Sequence, residues 1–152
     1  VLTAVICLFG FNLTLKSETE LPWKPFTEST LSASLAENKT VLIDFTADWC
    51  LTCKRNEKFA LNTQETLDLV KNHDVVTLYA DYTGESEEIR RWLEKFESIS
   101  VPLTVIFPAG QPDEAIVLRD LYTQATLLEN LKKAVTAGEK STARVATSDV
   151  RR

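Results

Sequence analysis

The sequence predicts an α/β domain, a central mixed β-sheet flanked by helices, and three observations carry that prediction. Short apolar, β-branched runs alternate along the chain with segments of helical periodicity. One run, Val41–Thr46, is continuously apolar apart from Asp44, as a strand covered on both faces should be, and it leads straight into a helix opening at Cys50. The 152 residues, 44% of them hydrophobic, suffice for one domain with a substantial core plus tails.

Residues 1–15 are mostly apolar but fall short of the ~20 residues that a bilayer span needs. They read as the remnant of a transmembrane helix, with a core helix or strand as the alternative, and Cys7 within them as a passive small hydrophobe. Residues 16–22 are polar, end in Pro22 and form a linker. The folded domain is expected over 23–137. Residues 23–26 predict an edge strand, weakened by Pro25, and Ser29 or Thr30 caps a helix through about Asn38. After strand 41–46, a helix runs from Cys50 to about Phe59, and a second from 65 to 71 follows the break at Asn62-Thr63. Residues 75–80 form the next strand. Residues 85–96 form an amphipathic helix with Ile89, Leu93 and Phe96 on one face. Strands 103–107 and 115–118 and a closing helix 126–137, with Leu127, Leu128, Leu131 and Val135, complete the domain. From Gly138 the remaining residues, 138–152, lack apolar periodicity and read as a flexible tail.

Composition limits the function. With 17 Lys and Arg against 22 Asp and Glu, the net charge of −5 argues against a nucleic-acid partner, which needs clustered cations. Three cysteines are too few for a disulfide scaffold.

The chemistry concentrates at Cys50-Leu51-Thr52-Cys53. Two thiols at this spacing can close a small disulfide, and a cysteine at a strand-to-helix junction has its thiolate stabilised by backbone N–H groups and the helix dipole. A zinc site is the weaker alternative. It needs four protein ligands, and beyond these two the chain offers only Cys7 in an apolar run and His73. A purely structural disulfide usually closes a longer loop. Asp44 is anomalous in a buried strand, where a carboxylate is costly unless paired or functional. Helical periodicity places Glu57 on the face of Cys50 and Cys53, and a nearby carboxylate opposes thiolate formation. Trp49 reads either as a core aromatic or as a shield beside the disulfide. Lys54 reads as solvated, and Trp92, Tyr82 and Tyr122 as packing residues.

The string Phe45-Thr46-Ala47-Asp48-Trp49-Cys50-Leu51-Thr52-Cys53-Lys54, followed by Asn56-Glu57, resembles the active-site segment of the C-terminal thioredoxin-like domain of the DsbD family, the bacterial transmembrane thiol:disulfide interchange proteins. The resemblance extends to 80–83 and to 100–107 and covers roughly 23–137. Ser100 departs from the Gly that many relatives carry there. The resemblance implies a thioredoxin fold, with catalytic Cys50 and Cys53 and with Asp44 and Glu57 as acidic residues tuning the reactive thiol. It also implies a cis Pro102 whose loop, with Val101 and Trp49, faces the substrate.

The implied activity is protein-disulfide reduction with no metal or organic cofactor. Electrons arrive from a membrane-embedded thiol-transfer domain and pass to periplasmic thiol proteins, cytochrome c biogenesis among their uses. The implied setting is a monomeric domain in the bacterial periplasm, tethered to the inner membrane in the full-length protein. A thiol oxidase or isomerase on the same fold, and a metal-carrying non-catalytic domain, remain the alternatives.

Overall fold

The computed structural model describes residues 19–149; the apolar segment 1–15, Cys7, part of the linker and the last three residues lie outside them. Five strands, β1 (Lys24–Pro25), β2 (Val41–Thr46), β3 (Val76–Asp81), β4 (Leu103–Phe107) and β5 (Ile116–Arg119), form one sheet in the order β1-β3-β2-β4-β5. The first three run parallel and the last two antiparallel to their neighbours, so the sheet is mixed as expected.

β2 is central and all six of its residues are buried. Its side chains alternate between the two faces. Val41, Ile43 and Phe45 pack with Leu31 of α1 (Glu28–Ala36) and with Ile89 and Leu93 of α4 (Glu87–Lys95). On the opposite face, Leu42 packs with Leu67 and Val70 of α3 (Gln64–Asn72) and with Leu127 and Leu131 of α5 (Gln124–Asp149). Each fully buried Leu, Ile or Phe contributes ~1.5–3 kcal/mol of transfer free energy, so both helical layers are firmly seated. Trp92 packs edge-on against Phe26 at 5.8 Å, the packing role its sequence context suggests.

Four local features depart from the sequence reading. The cap of α1 is Thr27, which exchanges two hydrogen bonds with Thr30, rather than Ser29 or Thr30. α2 (Leu51–Asn56) does not continue as a regular helix to Phe59; a π-helical turn, Glu57–Leu61, follows it, closed by Asn62 N–H donating to the Glu57 carbonyl at 2.8 Å. The wider turn keeps Ala60 and Leu61 in the core while Phe59 faces solvent. α5 does not stop at Ala137 but runs to Asp149, through the stretch read as a tail. Gly138 reads as a helix end, yet it sits there because α5 crosses close to Ala109: a Cβ would lie 2.7 Å from the Ala109 Cβ. Among the described residues no helix is long and apolar enough to cross a membrane.

Candidate functional site

The site forms where β2 ends. Ala47-Asp48-Trp49 carries the chain to Cys50, whose extended backbone makes it the N-cap of α2, and its Sγ accepts a hydrogen bond from the Cys53 N–H at 3.1 Å. Cys50 and Cys53 are joined by a disulfide. Cys50 retains 7% of its exposure and Cys53 only 1%, so the N-terminal sulfur is the one nearer to solvent. Trp49 is 56% exposed, which removes the core-aromatic alternative. The Val101–Pro102 peptide bond is cis, and Val101 belongs to the same buried cluster as both cysteines.

Asp44 is 1% exposed in the middle of β2. Its Oδ1 accepts from the Thr104 hydroxyl at 3.3 Å, and its Oδ2 has no hydrogen-bond partner among the described residues. Burial first, and then the nearby charge of Glu57, push its pKa up to about 8, against the opposing Thr104 hydrogen bond and the Lys54 charge. At pH 7 the carboxyl therefore holds its proton.

Glu57 turns toward the end of β2, where its Oε1 accepts from the Thr46 hydroxyl at 2.7 Å. Lys54 is not simply solvated: its Nζ lies 3.3 Å from Glu57 and 3.7 Å from Asp48. Burial pulls the Lys54 ammonium down, but the charges of Glu57 and Tyr79 and hydrogen bonds to both hold it above its ordinary value. Of the two acids, Asp44 is thus neutral at pH 7 and Glu57 is paired with Lys54.

The sequence reading missed a second layer beneath Asp44. Tyr122, read as a packing residue, places its hydroxyl 2.7 Å from Thr104 Oγ1. Asn56, buried on α2, donates to the Asp120 carbonyl at 2.8 Å and accepts from the Tyr122 N–H at 3.4 Å, which ties the β5–α5 connection to the active-site helix. Asp120 adopts a left-handed φ of 55° in that tie. The polar Thr104 inside the otherwise aliphatic strand Leu103–Phe107 was the available signal; its register opposite Asp44 emerges only from the sheet.

No group of three or more His, Cys, Asp and Glu side chains converges on a possible metal site among the described residues. His73, the one histidine, lies 3.2 Å from Glu139, at the ends of α3 and the middle of α5.

Residues 22–109 match the family described as Thioredoxin-like. The chain is similar to the thiol:disulfide interchange protein DsbD of Ralstonia nicotianae, 28% identical over 108 residues that cover 71% of this chain and 17% of that protein. It is also similar to DsbD of Yersinia pestis, 32% identical over 84 residues covering 55% of this chain and 14% of the relative. The chain thus spans under a fifth of the length of these relatives. Among solved structures, the reduced C-terminal domain of Neisseria meningitidis DsbD superposes with a TM-score of 0.57 at 21% identity, covering 71% of this chain and 96% of that one. A thioredoxin from Thermus thermophilus superposes at 0.60 and 18% identity, covering 78% and 90%. The sheet order and helical layers are those of the thioredoxin-like fold.

Proposed function

Because the chain belongs to the thioredoxin-like family, we propose that it is a thiol:disulfide oxidoreductase that reduces protein disulfides through the Cys50–Cys53 couple. The observation that carries this reading is the disulfide itself, set at a helix N-terminus with Cys50 the more exposed of its two residues. Here α2 is short, so its N–H groups contribute a local effect rather than a large macrodipole.

In the reducing direction the Cys50 thiolate attacks one sulfur of a substrate disulfide. The substrate S–S bond breaks, a Cys50–substrate bond forms, and the departing substrate thiolate takes a proton. Cys53 then loses its proton and attacks Cys50 Sγ, which releases the second substrate thiol and closes Cys50–Cys53. Two electrons pass to the substrate. Asp44 and Glu57 are the acids that the resemblance assigns to tuning the reactive thiol, and burial pushes the Asp44 pKa up to about 8. Trp49, Val101 and Pro102 form the substrate-facing side of the site.

The resemblance to DsbD supports a finer reading of donor and acceptor. A membrane-embedded dithiol partner reduces the Cys50–Cys53 bond, and periplasmic thiol proteins, including those of cytochrome c maturation, receive the electrons. In that reading the domain acts as a monomer, needs no cofactor beyond its disulfide, and is tethered to the inner membrane at its periplasmic face in the full-length protein.

The test is reduction of a protein disulfide by the dithiol form, together with the equilibrium potential against glutathione. Turnover that requires both cysteines, with a potential toward the reducing end of the ~−270 to −120 mV range, supports the reading. A potential at the oxidising end would make the domain an oxidase or isomerase instead. Stoichiometric metal in the reduced protein without turnover would make it a metal carrier.

A further inference from the structure

The outer face of α2 carries a feature that the disulfide chemistry does not use. Leu51, Phe59 and Leu121 are 84%, 60% and 54% exposed, and they border one groove of about 560 Å³. Such a volume falls in the ~300–1,000 Å³ range of pockets that bind ligands. The groove shares no residue with the set Trp49, Val101 and Pro102.

Two cations border the apolar residues. Arg55 and Lys58 sit over the Phe59 ring at 5.9 Å and 5.3 Å, and neither makes an ion pair among the described residues. Lys54 also lines the groove, but Glu57 and Asp48 already balance it. The local charge is therefore positive on a chain whose net charge is −5. Leu51 and Thr52, the two residues between the cysteines, line the same groove. A protein whose sulfur is joined to Cys50 comes to lie beside it.

Resting on the oxidoreductase reading, we propose that this groove docks a segment of the exchange partner in which an apolar side chain is flanked by carboxylates. The apolar side chain packs against Leu51, Phe59 and Leu121, and the carboxylates pair with Arg55 and Lys58. Acidic partners are repelled by the chain as a whole, so any preference for them has to come from these local cations.

The test uses the full chain in its reduced form and two synthetic peptides, each with a cysteine in a mixed disulfide to a chromogenic thiol and a leucine nearby. In one the leucine is flanked by glutamates and in the other by lysines; glutathione disulfide serves as the small reference substrate. The expected result is that the glutamate peptide is reduced about tenfold faster than the lysine peptide at low ionic strength. The ratio should shrink toward one in high salt and invert in the double variant Arg55→Glu, Lys58→Glu. Replacing the peptide leucine by serine should slow the glutamate peptide. The salt series on the wild-type chain needs no variant, so misfolding of the double variant leaves the test intact. Equal rates, or faster reduction of the lysine peptide, overturn the docking proposal while reduction of glutathione disulfide still upholds the oxidoreductase reading. Failure to reduce all three substrates overturns both.

Discussion

The Tyr122 hydroxyl lies 2.7 Å from Thr104 Oγ1, and the Thr104 hydroxyl donates a hydrogen bond to Asp44 Oδ1 at 3.3 Å. The direction follows from counting donors. A hydroxyl has one proton; with Thr104 committing it to the carboxyl oxygen, Tyr122 is the donor between the two hydroxyls. Burial, followed by the charge of Asp44, holds the Tyr122 phenol far above its usual pKa, so this donor keeps its proton at any working pH. The buried acid of β2 is thereby anchored to the facing strand β4.

Thr104→Val should remove the hydrogen bond that draws the Asp44 pKa down, and leave the Tyr122 hydroxyl without its partner. The Asp44 pKa should rise further above about 8. The domain should lose ~1–3 kcal/mol, the usual cost of stranding a buried polar group. Tyr122→Phe keeps the Thr104 bond to Asp44 and should cost less, ~0.5–1.5 kcal/mol. Carboxyl NMR titration and urea unfolding of the oxidised proteins measure both. A valine variant as stable as wild type would show that the relay is not formed.

Glu57 and Lys54 act on Asp44 with opposite signs. Because the Glu57 charge raises the Asp44 pKa and the Lys54 charge lowers it, Glu57→Gln should move that pKa down and Lys54→Ala should move it up. The same titration reads both. Shifts in the same direction would mean that packing changes, rather than charge, dominate at this site.

Asp44 also gives the oxidised domain a pH-dependent stability. Its carboxyl keeps its proton in the folded state up to about 8 but loses it near 3.8 in the unfolded chain. Between those values the folded state binds more protons, so stability falls as pH rises, by up to ~1.4 kcal/mol per unit from this group, and levels off above 8. Asp44→Asn should abolish that slope and stabilise the domain at pH 8. Parallel stability profiles for the two proteins across pH 4–8 would refute the assignment.

Asn56 joins α2 to the loop that carries Tyr122. Asn56→Ala strands the Asp120 carbonyl and loosens the Tyr122 N–H, so unfolding should come ~1–3 kcal/mol sooner. The Asp44 titration should shift as Tyr122 drifts from Thr104. Destabilisation with an unchanged Asp44 titration would limit Asn56 to a purely local tie.

Much of this was legible in the sequence, and the remainder was hidden for identifiable reasons. β2 and β4 announce themselves as short aliphatic runs, and Asp44 stands out because an acid breaks the first of them. Cys50 and Cys53 are visible as a motif, and their positions at the opening of α2 follow from the strand before them. Thr104 and Tyr122 were not visible as partners of Asp44, because a β-branched residue is normal in a strand and the contact depends on the register of β4 against β2. Lys54 looks like any surface lysine, although Glu57 three residues on is within helical reach of it; that Glu57 also meets Thr46 depends on how α2 packs against β2. Gly138 reads as a terminator, since its reason for being there is Ala109, a residue far away in sequence.

The exchange chemistry itself is tested most directly by mass spectrometry of the Cys53→Ala protein after its reduced form meets a disulfide-bonded peptide. Cys50 should attack and then have no internal thiol to displace the product, so a stable adduct should accumulate, and peptide mapping should place it on Cys50. In the reciprocal Cys50→Ala protein, Cys53, nearly sealed from solvent in the folded chain, should stay unmodified. An adduct on Cys53 instead, or rapid product release from Cys53→Ala at the wild-type rate, would contradict the assignment of Cys50 as the attacking sulfur.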